Sequence, residues 1–244
     1  MKQLKFLATI SVAAGALFLN SCNSGDDKKA DDKTADSAAV KTETAPPPVI
    51  PSGPTSLMIV KHKVANYAKW KPGYDSHDSI RLANGLHSYI IARGTEDSNM
   101  VLVAVRMDDV NKAKAFGASP ELKKRMKQGG VIGIPTVDYL EAVMNDTTAI
   151  QQTVRLMIRH KVKDWDAWKK SFDEHKQARM DAGLTDRAVA YTAGDNHNVT
   201  LVFAVADVAK AKAFMDSKDL KDKMAEAGVE GPPTHFFYKI VARY

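Results

Sequence analysis

Residues 58–70 read MIVKHKVANYAKW, and residues 156–168 read LMIRHKVKDWDAW. Each stretch opens in alternation. Met58, Val60, His62 and Val64 fall on one side, and Ile59, Lys61 and Lys63 on the other. That period predicts a strand with one half-polar face. A helix N-cap residue follows, Asn66 in one stretch and Asp164 in the other. The segment it opens carries Trp70, Tyr74, His77 and Arg81, mirrored by Trp168, Phe172, His175 and Arg179. Steps of four, three and four place each set on one stripe of a helix, and the aromatics mark that stripe as the one facing the sheet. Gly85 and Gly183 are expected to close the helix as left-handed caps.

The two stretches lie 98 residues apart, and the register holds without a gap well beyond them. It pairs Asp109 with Asp207, Phe116 with Phe214, Met126 with Met224, Gly130 with Gly228 and Pro135 with Pro233. Such a period is too long for a solenoid unit and suits a small complete domain. The chain therefore reads as a duplication, with copies at residues 55–146 and 154–244, and each copy needs only one explanation.

Within the first copy, Ser88 to Arg93 makes a second strand and Thr95 to Asn99 supplies turn chemistry. Met100 to Met107 makes a third strand, rich in Val. Asp109 caps a second helix, which restarts at Ser119-Pro120 with Ser as N-cap and Pro in the first position. Gly130 and Gly133 break the chain, Pro135 blocks further helix, and Thr136 to Val143 forms a fourth strand. The order β-α-β-β-α-β is the α+β, ferredoxin-like pattern, an antiparallel sheet with both helices on one face. Two such units leave two bare sheet faces. Mutual burial of those faces predicts a pseudo-dimer within one monomeric chain, its two sheets forming one barrel.

The run His62-Lys63-Val64 with Trp70, the phrase from Asp109 to Phe116, and Gly130-Val131 with Gly133 and Pro135 resemble small bacterial dimeric α/β-barrel domains. These are similar to the antibiotic-biosynthesis-monooxygenase-like superfamily, and both copies match over nearly their whole length. The resemblance implies the fold. It leaves the activity open among cofactor-free monooxygenases, haem-degrading enzymes, isomerases and members with no known reaction. Haem-degrading members place an iron-ligating His on the second helix. Neither second helix here, residues 109–128 and 207–226, contains a His, which argues against haem.

The ends of the chain carry a different message. Lys2 and Lys5 precede an apolar run from Phe6 to Leu19, too short to span a bilayer comfortably, and the sole cysteine, Cys22, follows Leu19-Asn20-Ser21. This resembles the lipobox of bacterial lipoproteins, which implies a signal peptide over residues 1–21 and a diacylglycerol (palmitate-type) anchor on Cys22. The alternatives are an ordinary secretory signal with an incidental cysteine, or an uncleaved anchor. A single cysteine allows no intramolecular disulfide. Residues 22–54 are rich in Asp, Lys, Ala, Thr and Ser, lack aromatics, and end in Pro46-Pro47-Pro48 and Pro51. That composition predicts a disordered, partly extended tether. Asp26-Asp27 resembles the acidic export signals of some surface lipoproteins of Bacteroidetes. The expected location is the cell envelope, on the periplasmic or outer face of a membrane.

Composition narrows the function further. A hydrophobic share of 44% lets each copy bury a core. The net charge of +6 is mild, two of those charges belong to the leader, and the rest are interspersed with acids. Nucleic-acid tracking needs a clustered basic stripe, so no nucleic-acid partner is expected. The run Lys123-Lys124-Arg125 with Lys127 reads as a solvated helix face. Gly129 to Gly133 precedes a strand and not a helix, so it is a turn and not a dinucleotide loop. No cofactor is expected, and no metal-ligand spacing appears.

The remaining candidates form one constellation, His62, Trp70, His77 and Arg81, with its mirror His160, Trp168, His175 and Arg179. In a cleft between sheet and helices, Arg81 and Arg179 would recognise an anionic group or oxygen, and the His pairs would handle a proton. The alternative is structural: an Arg stem packed along Trp and a core-edge His satisfied by a backbone carbonyl. Tyr74 becoming Phe172 argues against that hydroxyl being essential in both copies. Two functions follow from the pocket reading. One is a small-molecule binding module of the envelope. The other is a cofactor-independent monooxygenase-like enzyme acting on an aromatic or polyketide-like substrate.

Overall fold

The computed structural model describes residues 55–244. The expectations for the leader, Cys22 and the tether fall on residues 1–54 and lie outside the described residues. The first repeat supplies β1 (Thr55–Val64), α1 (Tyr67–Ser76), α2 (Asp78–Ala83), β2 (Leu86–Gly94), β3 (Met100–Met107), α3 (Val110–Ala118), α4 (Pro120–Gln128) and β4 (Val131–Asn145). The second supplies β5 (Val154–Val162), α5 (Trp165–Glu174), α6 (Lys176–Asp181), β6 (Leu184–Thr192), β7 (Asp195–Val205), α7 (Val208–Asp216), α8 (Lys218–Glu226) and β8 (Val229–Arg243).

The eight strands close in the order β1-β3-β2-β8-β5-β7-β6-β4. All pairings are antiparallel, and the two repeats join edge to edge through β2–β8 and β4–β6. Closure leaves no open sheet edge, which removes the unpaired N–H and C=O rows that invite aggregation. Both repeats run in the same sense around the barrel, so equivalent ends of equivalent strands meet at the same mouth.

Strand alternation sorts the side chains as the β1 pattern predicts. Leu57 and Ile59 point into the barrel with Leu102, Leu140, Met157 and Tyr238. Met58 and Val64 point outward beneath the helices, with Trp70 and Ala113. The second repeat builds the same outer layer from Leu156, Val162, Trp168 and Ala211. Three apolar layers thus stabilise the fold, each fully buried large side chain contributing about 1.5–3 kcal/mol.

Local signals account for the element ends. Asn66, Asp109 and Ser119 each accept a bond from the N3 backbone N–H of the helix they open, and Asp164, Asp207 and Ser217 do so in the second repeat. Gly85 and Gly183 sit at φ 67° and 75° after the helices they end.

Two details differ from the sequence reading. The first helix of each repeat is not continuous: it breaks at His77 (φ −98°, ψ 17°) and at His175 (φ −85°, ψ 14°). The fourth strand starts at Val131, before Pro135, because left-handed Gly133 (φ 72°) sits in a bulge where pairing to β1 slips between Lys61 and Lys63. Gly231 and the slip between Arg159 and Lys161 repeat that bulge.

Candidate functional site

β1 and α1 bring His62 and Trp70 together, with ring centroids 5.5 Å apart, and His160 and Trp168 adopt the same spacing and tilt. Tyr74 stacks on Trp70 at 5.2 Å, as Phe172 does on Trp168. In the first repeat these side chains line a cavity of about 390 Å³ between the sheet and helices α1 to α4. Val60, Val103 and Val105 form its floor, and Arg81, Phe116, Leu122 and Met126 also face it.

His62 is the unusual group in this cleft. It is only 4% exposed, and neither ring nitrogen has a hydrogen-bond partner among the described residues. Burial pushes its pKa from the usual 6.5 down to about 4, so the ring is neutral near pH 7. A neutral imidazole offers one donor and one acceptor. Leaving a buried polar group unmatched costs about 1–3 kcal/mol. The ring therefore favours any guest that brings a complementary atom.

The arginines of the constellation have another task. Arg81 Nε donates to Ser88 Oγ (3.1 Å), Nη1 to the Tyr74 carbonyl (2.7 Å) and Nη2 to Asp78 Oδ1 (3.0 Å), and the guanidinium lies 3.8 Å from the Tyr74 ring centroid. Arg179 holds Asp186 in a bidentate pair at 2.9 and 2.8 Å and takes the Phe172 carbonyl with Nη1. At the helix break the guanidinium bonds those carbonyls, the Tyr74 carbonyl also accepting from the His77 N–H at 3.3 Å. Arg81 and Arg179 are thus committed to intramolecular bonds on every nitrogen, and the expectation that they receive an anion gives way to a structural role. The change of partner follows the sequence: Ser88 in the first repeat is Asp186 in the second, so the carboxylate moves from helix to strand.

Besides exposed Lys69, the first cleft draws a cation from Arg125, in the run read as a solvated face. Lys123, Lys124 and Lys127 are exposed, whereas Arg125 turns inward. Its Nη1 donates to His77 Nε2 at 3.0 Å and its Nη2 pairs with Glu121 at 2.7 Å, while its buried Nε has no partner among the described residues. The signal was present: Leu122 and Met126, three before and one after, already marked that face as apolar. His77 therefore sits at the cleft's wall, bound by Arg125. In the second repeat Lys223 replaces Arg125, and His175 Nε2 meets Asp219 at 3.1 Å.

The two clefts are unequal. The second measures about 80 Å³. Its floor carries Ile158, Leu201 and Phe203 where the first has Val60, Val103 and Val105, and Met215 fills space where the first repeat has Gly117. Gly117 has no room for a side chain, because the Tyr139 hydroxyl lies where a Cβ would go. The equivalent of Tyr139 is Phe237, which lacks that hydroxyl. His160 keeps its unpartnered nitrogens and its pKa near 4, lowered by burial and then by the charge of His235, but the space in front of it is largely occupied.

No family model and no curated protein matches this chain. Solved structures do. A candidate monooxygenase from Fusobacterium nucleatum superposes with a TM-score of 0.50 at 9% identity, over 78% of this chain and 94% of its own. An anthrone oxidase-like protein superposes with a TM-score of 0.51 at 14% identity, over 78% of this chain and 92% of its own. At such identity the likeness shows the fold alone: a dimeric-type α/β barrel in which one chain supplies both halves.

Proposed function

We propose that this chain is a small-molecule-binding protein of the bacterial cell envelope, tethered through a lipidated Cys22, and that the first-repeat cleft holds its ligand. One observation carries the reading: a cavity of about 390 Å³ lined at depth by a buried histidine whose two nitrogens have no partner among the described residues. Pockets for small organic molecules are mainly apolar, with a few placed polar groups, and typically enclose roughly 300–1,000 Å³. The Trp70 and Tyr74 rings suit a flat, largely apolar compound, and the unmatched His62 and Arg125 nitrogens, buried just behind the cavity surface, give it hydrogen bonds once those side chains turn toward it. The ligand class is an aromatic or polyketide-like molecule bearing a carbonyl or hydroxyl.

The alternative, cofactor-independent oxygenation in this cleft, needs a group that removes a proton from the substrate. His62 is a weak base for that purpose, with its pKa near 4. Binding is favoured for that reason. The experiment is a metabolite pull-down with mass spectrometry on the fragment from residue 55 onward, compared with His62→Phe. A compound retained by the wild type and lost in the variant supports the reading. Retention that is the same in both overturns it. Oxygen uptake with turnover of the retained compound would replace binding with catalysis.

A further inference from the structure

A third cavity, of about 90 Å³, opens inside the barrel and is independent of the two sheet–helix clefts. It is lined by equivalent positions of both repeats: Leu57 with Arg155, Tyr89 with Arg187, and Asn145 with Arg243. At each of these three pairs the second repeat carries arginine and the first does not. The local pseudo-symmetry is thereby converted into a one-sided cationic wall.

The wall is undercompensated. Arg187 pairs with Asp146 at 2.9 Å. Arg155 is only 7% exposed, yet it has no carboxylate partner among the described residues; its Nη1 donates to the Gln152 and Val154 carbonyls, and its Nε and Nη2 make no hydrogen bond there. Arg243 has no acidic partner among the described residues either. The Asn145 amide nitrogen, at the same mouth, is buried and has no partner among the described residues. Burial, together with the neighbouring Arg187 and Arg243 charges, disfavours the charged form of Arg155. A largely buried guanidinium that has no carboxylate partner among the described residues favours an anion seated against its free nitrogens. Beyond the arginines the lining is mixed: Tyr89, Asn145, Thr147, Tyr238 and Asp146, whose carboxylate is held by Arg187, are polar, and Ile59, Met157 and Ile240 form an apolar side.

We infer that this barrel mouth is a binding site for a short-chain organic carboxylate, its carboxylate held by Arg155 and Arg243 and its hydrocarbon part lying on Ile59, Met157 and Ile240. The size fits. With roughly 10–15 Å³ of such space per water-sized atom, the cavity takes about six to nine heavy atoms, which is the size of butanoate or hexanoate.

The test is calorimetric titration of the residue 55–244 fragment with butanoate, acetate and inorganic phosphate at matched ionic strength. Two variants borrow the first repeat's own residues, Arg155→Leu and Arg243→Asn, so each introduces a side chain that the equivalent strand already accommodates. Lys218→Ala, on an exposed helix, controls for diffuse anion binding. Butanoate should bind the wild type and the Lys218 variant more tightly than acetate or phosphate do. Arg155→Leu should weaken it about tenfold or more, the loss of a charge-assisted bidentate contact, while a thermal melt shows that the variant stays folded. Equal binding of all three anions, no binding of butanoate to the wild type, or unchanged affinity in a folded Arg155→Leu protein would overturn the inference. Should Arg155→Leu fail to fold, Arg243→Asn, at an exposed position, decides by the same measure.

Discussion

Arg81 Nη1 donates to the Tyr74 carbonyl across the point where the first helix breaks, and Arg179 makes the same bond to Phe172. The two differ in what else they hold. Asp186, which faces Arg179, is 13% exposed, whereas Asp78, which faces Arg81, is 48% exposed. Removing Arg179 strands a buried carboxylate, and such losses run to about 3–5 kcal/mol. Removing Arg81 leaves a solvated carboxylate and a neutral hydroxyl, for about 1–2 kcal/mol. Urea denaturation should therefore show Arg179→Gln losing distinctly more stability than Arg81→Gln. The reverse order would mean that the helix break is held by something other than these bonds.

His62 and His160 give the fold a defined response to acid. Each has its pKa lowered from 6.5 to about 4. Between those values the unfolded chain binds a proton at each ring that the folded chain does not. Stability is thus fully present above about pH 6.5 and falls as pH drops toward 4, by up to about 3 kcal/mol per ring. The double variant His62→Phe/His160→Phe keeps the aromatic shape and removes both titrations. Its stability at pH 7 should equal or exceed that of the wild type, because two unmatched polar groups are gone. Its loss between pH 7 and pH 4.5 should be clearly smaller. Parallel curves for the two proteins would show that other groups govern the acid limb.

Much of the fold was legible because duplication shows every signal twice. Caps at Asn66 and Asp164, or at Asp109 and Asp207, confirm one another, and alternation in β1 assigns His62 to the helix-facing side. The break at His77 was not legible, since a stripe at steps of four, three and four fits an unbroken helix. The bonds that support the break come from Arg81, seven residues on from Tyr74. The inward turn of Arg125 was legible from Leu122 and Met126, although its basic neighbours suggest a solvated face. The unequal clefts were hidden, because Val105 and Phe203 are both merely apolar in a sequence while differing greatly in volume.

The proposed anchor rests on Cys22 alone and is tested away from the barrel. Cells expressing the full chain should incorporate labelled palmitate into it, and Cys22→Ser should abolish the label while the protein accumulates in soluble form. Label persisting in Cys22→Ser, or absent from the wild type, would leave the leader as an ordinary secretory signal or an uncleaved anchor.

The inequality of the clefts yields a prediction for the first. Val60→Ile, Val103→Leu and Val105→Phe together copy the floor of the second repeat onto the first. Each added methylene that packs without strain contributes about 0.8 kcal/mol, so the triple variant should be at least as stable as the wild type in denaturant. It should also lose the ligand, since the added volume lies in front of His62. The reciprocal change, Phe203→Val, should cost about 2–3 kcal/mol by opening space in the second cleft, and it should give His160 access to the same class of compound. Calorimetric titration of the compound recovered by pull-down reads both effects. Should the triple variant bind as the wild type does, the ligand does not occupy the first cleft, whatever the state of His62.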